Sequence, residues 1–325
     1  MKKIFLLFLI SAFIFSCDNG STPIDTTKVT ISGSLSKKDV EKFDPPYLKG
    51  TKFSYVATKI DKDNNQTKEE STTEVLEYNQ EKKMVKIKFT AGNNSFTKED
   101  YLENFAEGLP EKGIEKLNNE DIKVLAGEFK NTTVVSFNYE YNKGIFAKSK
   151  LWLYEGIGAI KKEDILPDNS KIIAELKGYK VTSKKEKIDD YIKKIKKGSK
   201  YNNIGVNSDT KISYEFLDIK DNTINLKEIT IPKDTTKTTE ITKNITIEDY
   251  FNLKTASNYF IEPNQTLKIN NKDYTNLTVF YYDYQVTTKD TQGKEVTSTL
   301  NNKLYFSEDK GLIKMEGNLN IELLE

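Results

Sequence analysis

Through most of its length this chain alternates between apolar and polar residues with a period of two. In Val85-Lys86-Ile87-Lys88-Phe89 the lysines fall on the wet side of a half-buried strand. Val135, Phe137, Tyr139 and Tyr141 share one face of a second such segment, and Phe280, Tyr282, Tyr284 and Val286 share one face of a third. Polar turns separate the runs: residues 61–66, Asn79-Gln80-Glu81, Asn222-Thr223 and residues 289–293. Short turns between consecutive strands predict an antiparallel meander. The expected class is therefore mainly β (α+β), with curved sheets and few helices.

The same order of local patterns occurs twice. Thr51-Lys52-Phe53-Ser54-Tyr55 is answered by Thr210-Lys211-Ile212-Ser213-Tyr214, and Thr97-Lys98-Glu99-Asp100-Tyr101 by Thr246-Ile247-Glu248-Asp249-Tyr250. The Thr three residues before Asp suits an N-capped short helix in each copy, turning Tyr101, Leu102 and Phe105, or Tyr250, Phe251 and Leu253, inward. The third element pairs residues 133–139 with 278–284, and the fourth pairs Lys150-Leu151-Trp152-Leu153 and then residues 158–163 with Lys303-Leu304-Tyr305-Phe306 and then residues 311–316. Four elements in one order predict two homologous modules of about 130 residues each. Their expected bounds are 47–182 and 205–325.

Between them, residues 183–204 are rich in lysine, and Ile188, Tyr191, Ile192 and Ile195 recur at helical spacing. The expectation is a solvated linker helix; lysines set against anionic lipid are the alternative, diluted by Glu186, Asp189 and Asp190.

The first 16 residues have a signal peptide's layout: Lys2-Lys3, then an apolar run from Ile4 to Phe15 broken only by Ser11. That run is shorter than the roughly 20 residues that cross a bilayer. Ile14-Phe15-Ser16-Cys17 resembles the lipobox of bacterial lipoproteins, which implies cleavage before Cys17 and acylation of its thiol. Residues 17–46 are then expected to be a lipidated flexible tether to a membrane of the cell envelope, the outer membrane being favoured.

Composition removes several kinds of chemistry. The 50 basic residues nearly balance 49 acidic ones, and all the basic residues are lysine. A neutral chain without arginine lacks the bidentate forks that grip bases and phosphates, so no nucleic-acid partner is expected. With no histidine and one cysteine, His-assisted nucleophiles and His-zinc sites are unavailable, and no metal, cofactor or catalytic residue is predicted. A carboxylate pair assembled only by the fold would escape a sequence reading, so an enzyme remains the third choice.

Gly50-Thr51-Lys52-Phe53-Ser54-Tyr55, Ala126-Gly127-Glu128-Phe129 and residues 153–161 give the first module a further resemblance, to the exported bacterial domains called TapB-like. That family implies a β-rich exported domain with no established activity and no functional residues to carry over.

Two loops imitate known sites. Gly156-x-Gly158 has a strand continuing after it rather than a helix, which points to a hairpin turn. Asp61-x-Asp63-x-Asn65 starts like a calcium loop, but Gln66 and Thr72 stand where glycine and glutamate are needed. Neighbouring acids such as Glu99-Asp100 and Glu248-Asp249 point apart on a helix or strand. The aromatic residues remain: Phe137, Tyr139, Tyr141 and Trp152 in the first module, Tyr282, Tyr284 and Tyr305 in the second. Core packing accounts for them; as a concave surface they could instead hold an apolar ligand, a glycan or a host protein. The expected function is a non-enzymatic, lipid-anchored binding or surface-interaction protein, with a periplasmic carrier of an apolar ligand as the alternative.

Overall fold

The computed structural model describes residues 31–101, 109, 110, 112–142, 144–204, 210–232, 238–317 and 319–324. The signal peptide and Cys17 lie outside the described residues, as do Leu102 and Phe105. The chain is mainly β, as its alternation predicts, and divides into two compact units, Met1–Val181 and Thr182–Glu325.

The first unit runs β1 (Ile31–Leu35), α1 (Lys37–Glu41), β2 (Lys52–Ile60), β3 (Gln66–Asn79), β4 (Met84–Ala91), β5 (Asn94–Tyr101), β6 (Ile114–Leu117), β7 (Glu120–Val124), β8 (Gly127–Asn142), β9 (Ile145–Tyr154), β10 (Gly158–Ile165) and β11 (Lys171–Thr182). Its strands pair antiparallel in the order β5-β4-β3-β2-β11-β10-β9-β8-β6-β1, with β7 against the start of β8. The second unit runs α2 (Lys185–Ile192), β12 (Lys200–Asn203), β13 (Thr210–Lys220), β14 (Thr223–Pro232), β15 (Thr239–Thr246), α3 (Ile247–Tyr250), β16 (Ser257–Ile269), β17 (Lys272–Lys289), β18 (Glu295–Ser307), β19 (Gly311–Glu316) and β20 (Ile321–Leu324). Its order is β15-β14-β13-β12-β20-β19-β18-β17-β16, again antiparallel.

From β5 to β6 the first order matches the second strand for strand, with β1 and β7 left over, and the match shifts the expected repeat. The partner of β2 is β12, so Gly50-Thr51-Lys52-Phe53 corresponds to Gly198-Ser199-Lys200-Tyr201 and not to residues 210–214. The hydrogen bonds agree. Gly50 N–H donates to Val75 O at 2.8 Å and Gly198 N–H to Phe216 O at 2.7 Å, while Val75 and Phe216 donate back to Thr51 O and Ser199 O. Both glycines have positive φ, at 94° and 81°, which a side chain would strain. In the closing strands the sequence alignment holds to the residue. Thr133 faces Leu153 as Thr278 faces Phe306, and the register slips at the same place, leaving Ile160 and Ile313 fully buried at equivalent bulges.

The helices also differ from expectation. Residues 31–46 are not a tether: β1 pairs with β6, and α1 begins in a reciprocal cap between Ser36 and Asp39 and buries Val40. Nor is α2 a solvated linker, since Ile188, Ile192 and Ile195 lie within the second unit's core beside Phe280, Leu304 and Phe306. Ser36-Lys37-Lys38 at the start of α1 and Ser183-Lys184-Lys185 at the start of α2 are the same tripeptide, although the N-cap is Ser36 in the first and Lys184 in the second. Each such isoleucine contributes about 1.5–3 kcal/mol on burial, more than an eight-residue helix gains from propensity. Thr246 caps α3 as predicted, accepting from Asp249 N–H at 3.1 Å. Thr97–Tyr101, by contrast, continues as β5, because Tyr101 still pairs with Met84 where Thr246 pairs with Thr223 and ends its strand.

Candidate functional site

The aromatic candidates do not form one surface. Phe137 packs in a cluster with Val40, Ile114, Leu151 and Leu153, with half-buried Tyr139 against it. Tyr282 and Tyr284 are each 1% exposed within the second unit's core. Trp152 faces Val134 across the β8–β9 ladder, and Tyr305 faces Val279, which puts both on the opposite side of their sheets from Phe137 and Tyr282. This corrects the grouping of Trp152 with Phe137 and Tyr139, and of Tyr305 with Tyr282 and Tyr284; alternation within a strand was legible, but register between strands was not. Tyr141 is half-buried near the end of β8.

Trp152 is already fully engaged. Its indole N–H donates to Glu120 Oε2 at 2.8 Å, and the ammonium groups of Lys150 and Lys161 lie 4.3 and 4.7 Å from its ring centroid. Burial opposes ionisation of Glu120, but the Trp152 and Lys150 hydrogen bonds outweigh it and hold the carboxyl below its ordinary range. Tyr305 donates to Glu316 Oε2 at 3.1 Å. These are structural arrangements.

A different group stands out on the inner face of the first unit. Phe137, Ser149 and Asp164 lie opposite one another across β8, β9 and β10, with Val135, Leu151 and Lys162 in the adjoining row. Asp164 is 1% exposed and Ser149 fully buried. Lys162 Nζ lies 2.7 Å from Asp164 Oδ2, an ion-pair distance without hydrogen-bond geometry. Asp164 is held by Lys162 and interacts with the Tyr139 hydroxyl, while Ser149 Oγ has no hydrogen-bond partner among the described residues. Burial first, and then the Asp164 carboxylate, push the Tyr139 phenol well above its ordinary pKa. Lys162 Nζ also lies 5.3 Å from the Tyr139 ring centroid.

The equivalent place in the second unit is closed. Met315 stands at the position of Lys162, Gly317 at that of Asp164, Asn302 at that of Ser149 and Leu300 at that of Ala147. Tyr282 donates to Phe251 O at 2.5 Å and Asn302 Nδ2 to the Tyr282 hydroxyl at 3.0 Å, while the buried Tyr284 hydroxyl, the counterpart of that of Tyr139, has no hydrogen-bond partner among the described residues. A Cβ on Gly317 would collide with Asn302, which leaves no room for a carboxylate. The sequence signal for the contrast was present in the aligned closing strands, where Lys162 and Asp164 face Met315 and Gly317.

The loops that imitate known sites are turns. Asp61 Oδ1 accepts the Asp63 and Asn65 N–H groups at 2.8 and 2.9 Å, turning its carboxylate to the backbone. Gly156 and Gly158 have φ of 74° and 87° in the β9–β10 connection. Among the described residues, no three acidic, histidine or cysteine side chains gather where they could hold a metal, and no helix is long and apolar enough to cross a membrane.

No family model and no curated protein matches the chain. Among solved structures it is similar to a protein of unknown function from the DUF3598 family of Nostoc punctiforme, at 9% identity over 85% of this chain and 96% of that one, with a TM-score of 0.16. A likeness of that degree carries no functional argument.

Proposed function

We propose that this chain is a non-enzymatic lipoprotein, anchored through Cys17 to a membrane of the cell envelope and acting through exposed β surface as a binding or surface-interaction protein. The observation that carries the reading is a hairpin repeated in both units. In the second unit, β17 and β18 outrun their neighbours: pairing to β16 stops at Asp283 and pairing to β19 at Lys303. Among the described residues, 284–289 and 295–300 pair only with each other. That ribbon carries exposed Val296 and Leu300 and a Thr287–Thr297 hydroxyl contact at 3.0 Å. The first unit's equivalent, the end of β8 and start of β9, exposes Ile145 and Phe146, the latter at 62%. A two-stranded ribbon with open edges is marginal alone and suited to pairing with another chain.

The carrier alternative gains less support. Val40 of α1 and Phe43 just after it pack into the core of one unit, and Ile188 and Ile192 of α2 with Ile195 just after it into that of the other. Protease digestion of intact cells, repeated after the outer membrane is permeabilised, tests the proposal. Loss of the protein from intact cells supports surface interaction; survival until permeabilisation overturns surface display and favours a periplasmic carrier.

A further inference from the structure

We infer that residues 296–300 of β18 form an interface with the same residues of a second copy of this chain, paired antiparallel about Ser298. The inference deepens the surface-interaction reading by naming the partner of the exposed ribbon, and it rests on that reading for what brings two copies together.

The edge is open and unguarded. Pairing of β18 to β19 stops at Lys303, and residues 295–301 are exposed. Sheet edges are ordinarily blunted by charge, proline or a bulge. The edge strand β5 carries Lys98, Glu99 and Asp100, and β15 carries Glu240 and Lys243. On the ribbon's other strand the Thr255 hydroxyl takes up both main-chain groups of Gln285, accepting from its N–H at 3.2 Å and donating to its O at 3.0 Å. Residues 296–302, by contrast, contain no charged residue, proline or glycine and follow β17 without a register shift. An uncharged β-forming run on an open edge favours pairing with a further strand.

The Gln285 contact decides which groups of β18 are available. Since the main chain of Gln285 turns away from β18, that of Thr299 opposite it turns away from β17, and so does that of Thr297 two residues on. With a two-fold axis at Ser298, Thr297 of one copy stands opposite Thr299 of the other, and their N–H and C=O groups bond reciprocally. The side chains agree with this register. Val296 and Leu300, 42% and 43% exposed, share the face of Val286, and each meets the other across the axis, while Glu295 meets Asn301 and no like charges oppose. Moving the axis to Thr297 or Thr299 would set Val296 and Leu300 opposite polar residues instead. A strand pair this short is a weak interface alone, but anchoring two copies in one membrane raises their effective concentration.

The test is oxidative disulfide cross-linking of the full chain in detergent, with wild type as the control for Cys17. Facing residues of a strand pair lie within disulfide reach, so Ser298→Cys should give about tenfold or more linked dimer than wild type. Val296→Cys and Leu300→Cys should each stay at the wild-type level alone, because the two copies of either residue lie about 13 Å apart along the strands. An equal mixture of those two variants should cross-link. In sedimentation, wild type should contain dimer and Ser298→Lys, which opposes two ammonium groups on the axis, should be monomeric. The substituted side chains are all exposed, so the fold does not depend on them. Cross-linking of Ser298→Cys no greater than wild type, equal cross-linking at all three positions, no product from the mixture, or unchanged sedimentation of Ser298→Lys overturns the interface and leaves the edge to a strand of another protein. That failure is distinct from failure of the surface reading, which protease digestion of cells decides.

Discussion

Lys162 and Met315 occupy the same position in the two units: Lys162 faces Leu151 across the β9–β10 ladder, and Met315 faces Leu304 across β18–β19. One fold therefore accepts an ammonium group or a thioether at one inward position. In the charged version the ammonium lies 2.7 Å from Asp164 Oδ2.

Breaking that pair from one side should be costly. Lys162→Met alone leaves the buried Asp164 uncompensated and is expected to destabilise the first unit by about 3–5 kcal/mol, whereas Lys162→Met with Asp164→Ala should cost much less. Urea unfolding followed by Trp152 emission checks this, since the chain's one tryptophan reports on the first unit. Equal losses in the single and double variants would show that the ion pair is not the source of the effect.

Gly311 has φ of +76°, and a Cβ there would lie 2.8 Å from Lys194 O. Gly311→Ala should therefore destabilise the second unit by about 1–3 kcal/mol, through strain and displacement of the segment after α2. Gly198→Ala meets only the φ penalty, since nothing lies within 4 Å of its Cβ. Circular dichroism melts of the two variants should rank them in that order.

Asp44 follows α1 and accepts from the Tyr47 hydroxyl at 3.0 Å. Burial raises its pKa to about 7, against the opposing effect of that hydrogen bond. The folded state thus holds its proton more tightly than the unfolded chain, whose carboxyl titrates near 4. Its contribution is fully present below about pH 4 and is lost as pH rises through about 7. In Asp44→Asn the first unit's stability should lose this decline between about pH 4 and 7, as urea midpoints measured across that range would reveal.

Trp152→Phe keeps the ring's bulk but removes the indole donor to Glu120, held at 2.8 Å. A loss of about 1.5–3 kcal/mol is expected for a hydrogen bond to a charged group, measurable by tyrosine fluorescence during unfolding. Retained stability would mean that solvent takes over the Glu120 carboxylate at no cost.

The β class, the closing strands and the Thr246 cap were legible because each rests on short-range pattern: period two, a glycine turn, a Thr-x-x-Asp spacing. The opening of the repeat was not. Gly50-Thr51-Lys52-Phe53 and Gly198-Ser199-Lys200-Tyr201 share only Gly and Lys outright, while residues 210–214 copy Thr, Lys, Ser and Tyr on the neighbouring strand, so the stronger local match pointed to the wrong element. The strand within the expected tether was not legible because β1 is mostly exposed and held by pairing to β6 rather than by burial. The aromatic stripe misled because period two fixes faces within a strand only. Trp152 and Phe137 took opposite sides once register was set.

The claim on which the account turns is the lipid anchor at Cys17, and metabolic labelling with palmitate tests it most directly. Wild-type protein should carry the label and partition into the detergent phase of Triton X-114, and Cys17→Ser should lose both properties. An unlabelled wild-type protein in the aqueous phase would contradict the account, whatever the two units bind.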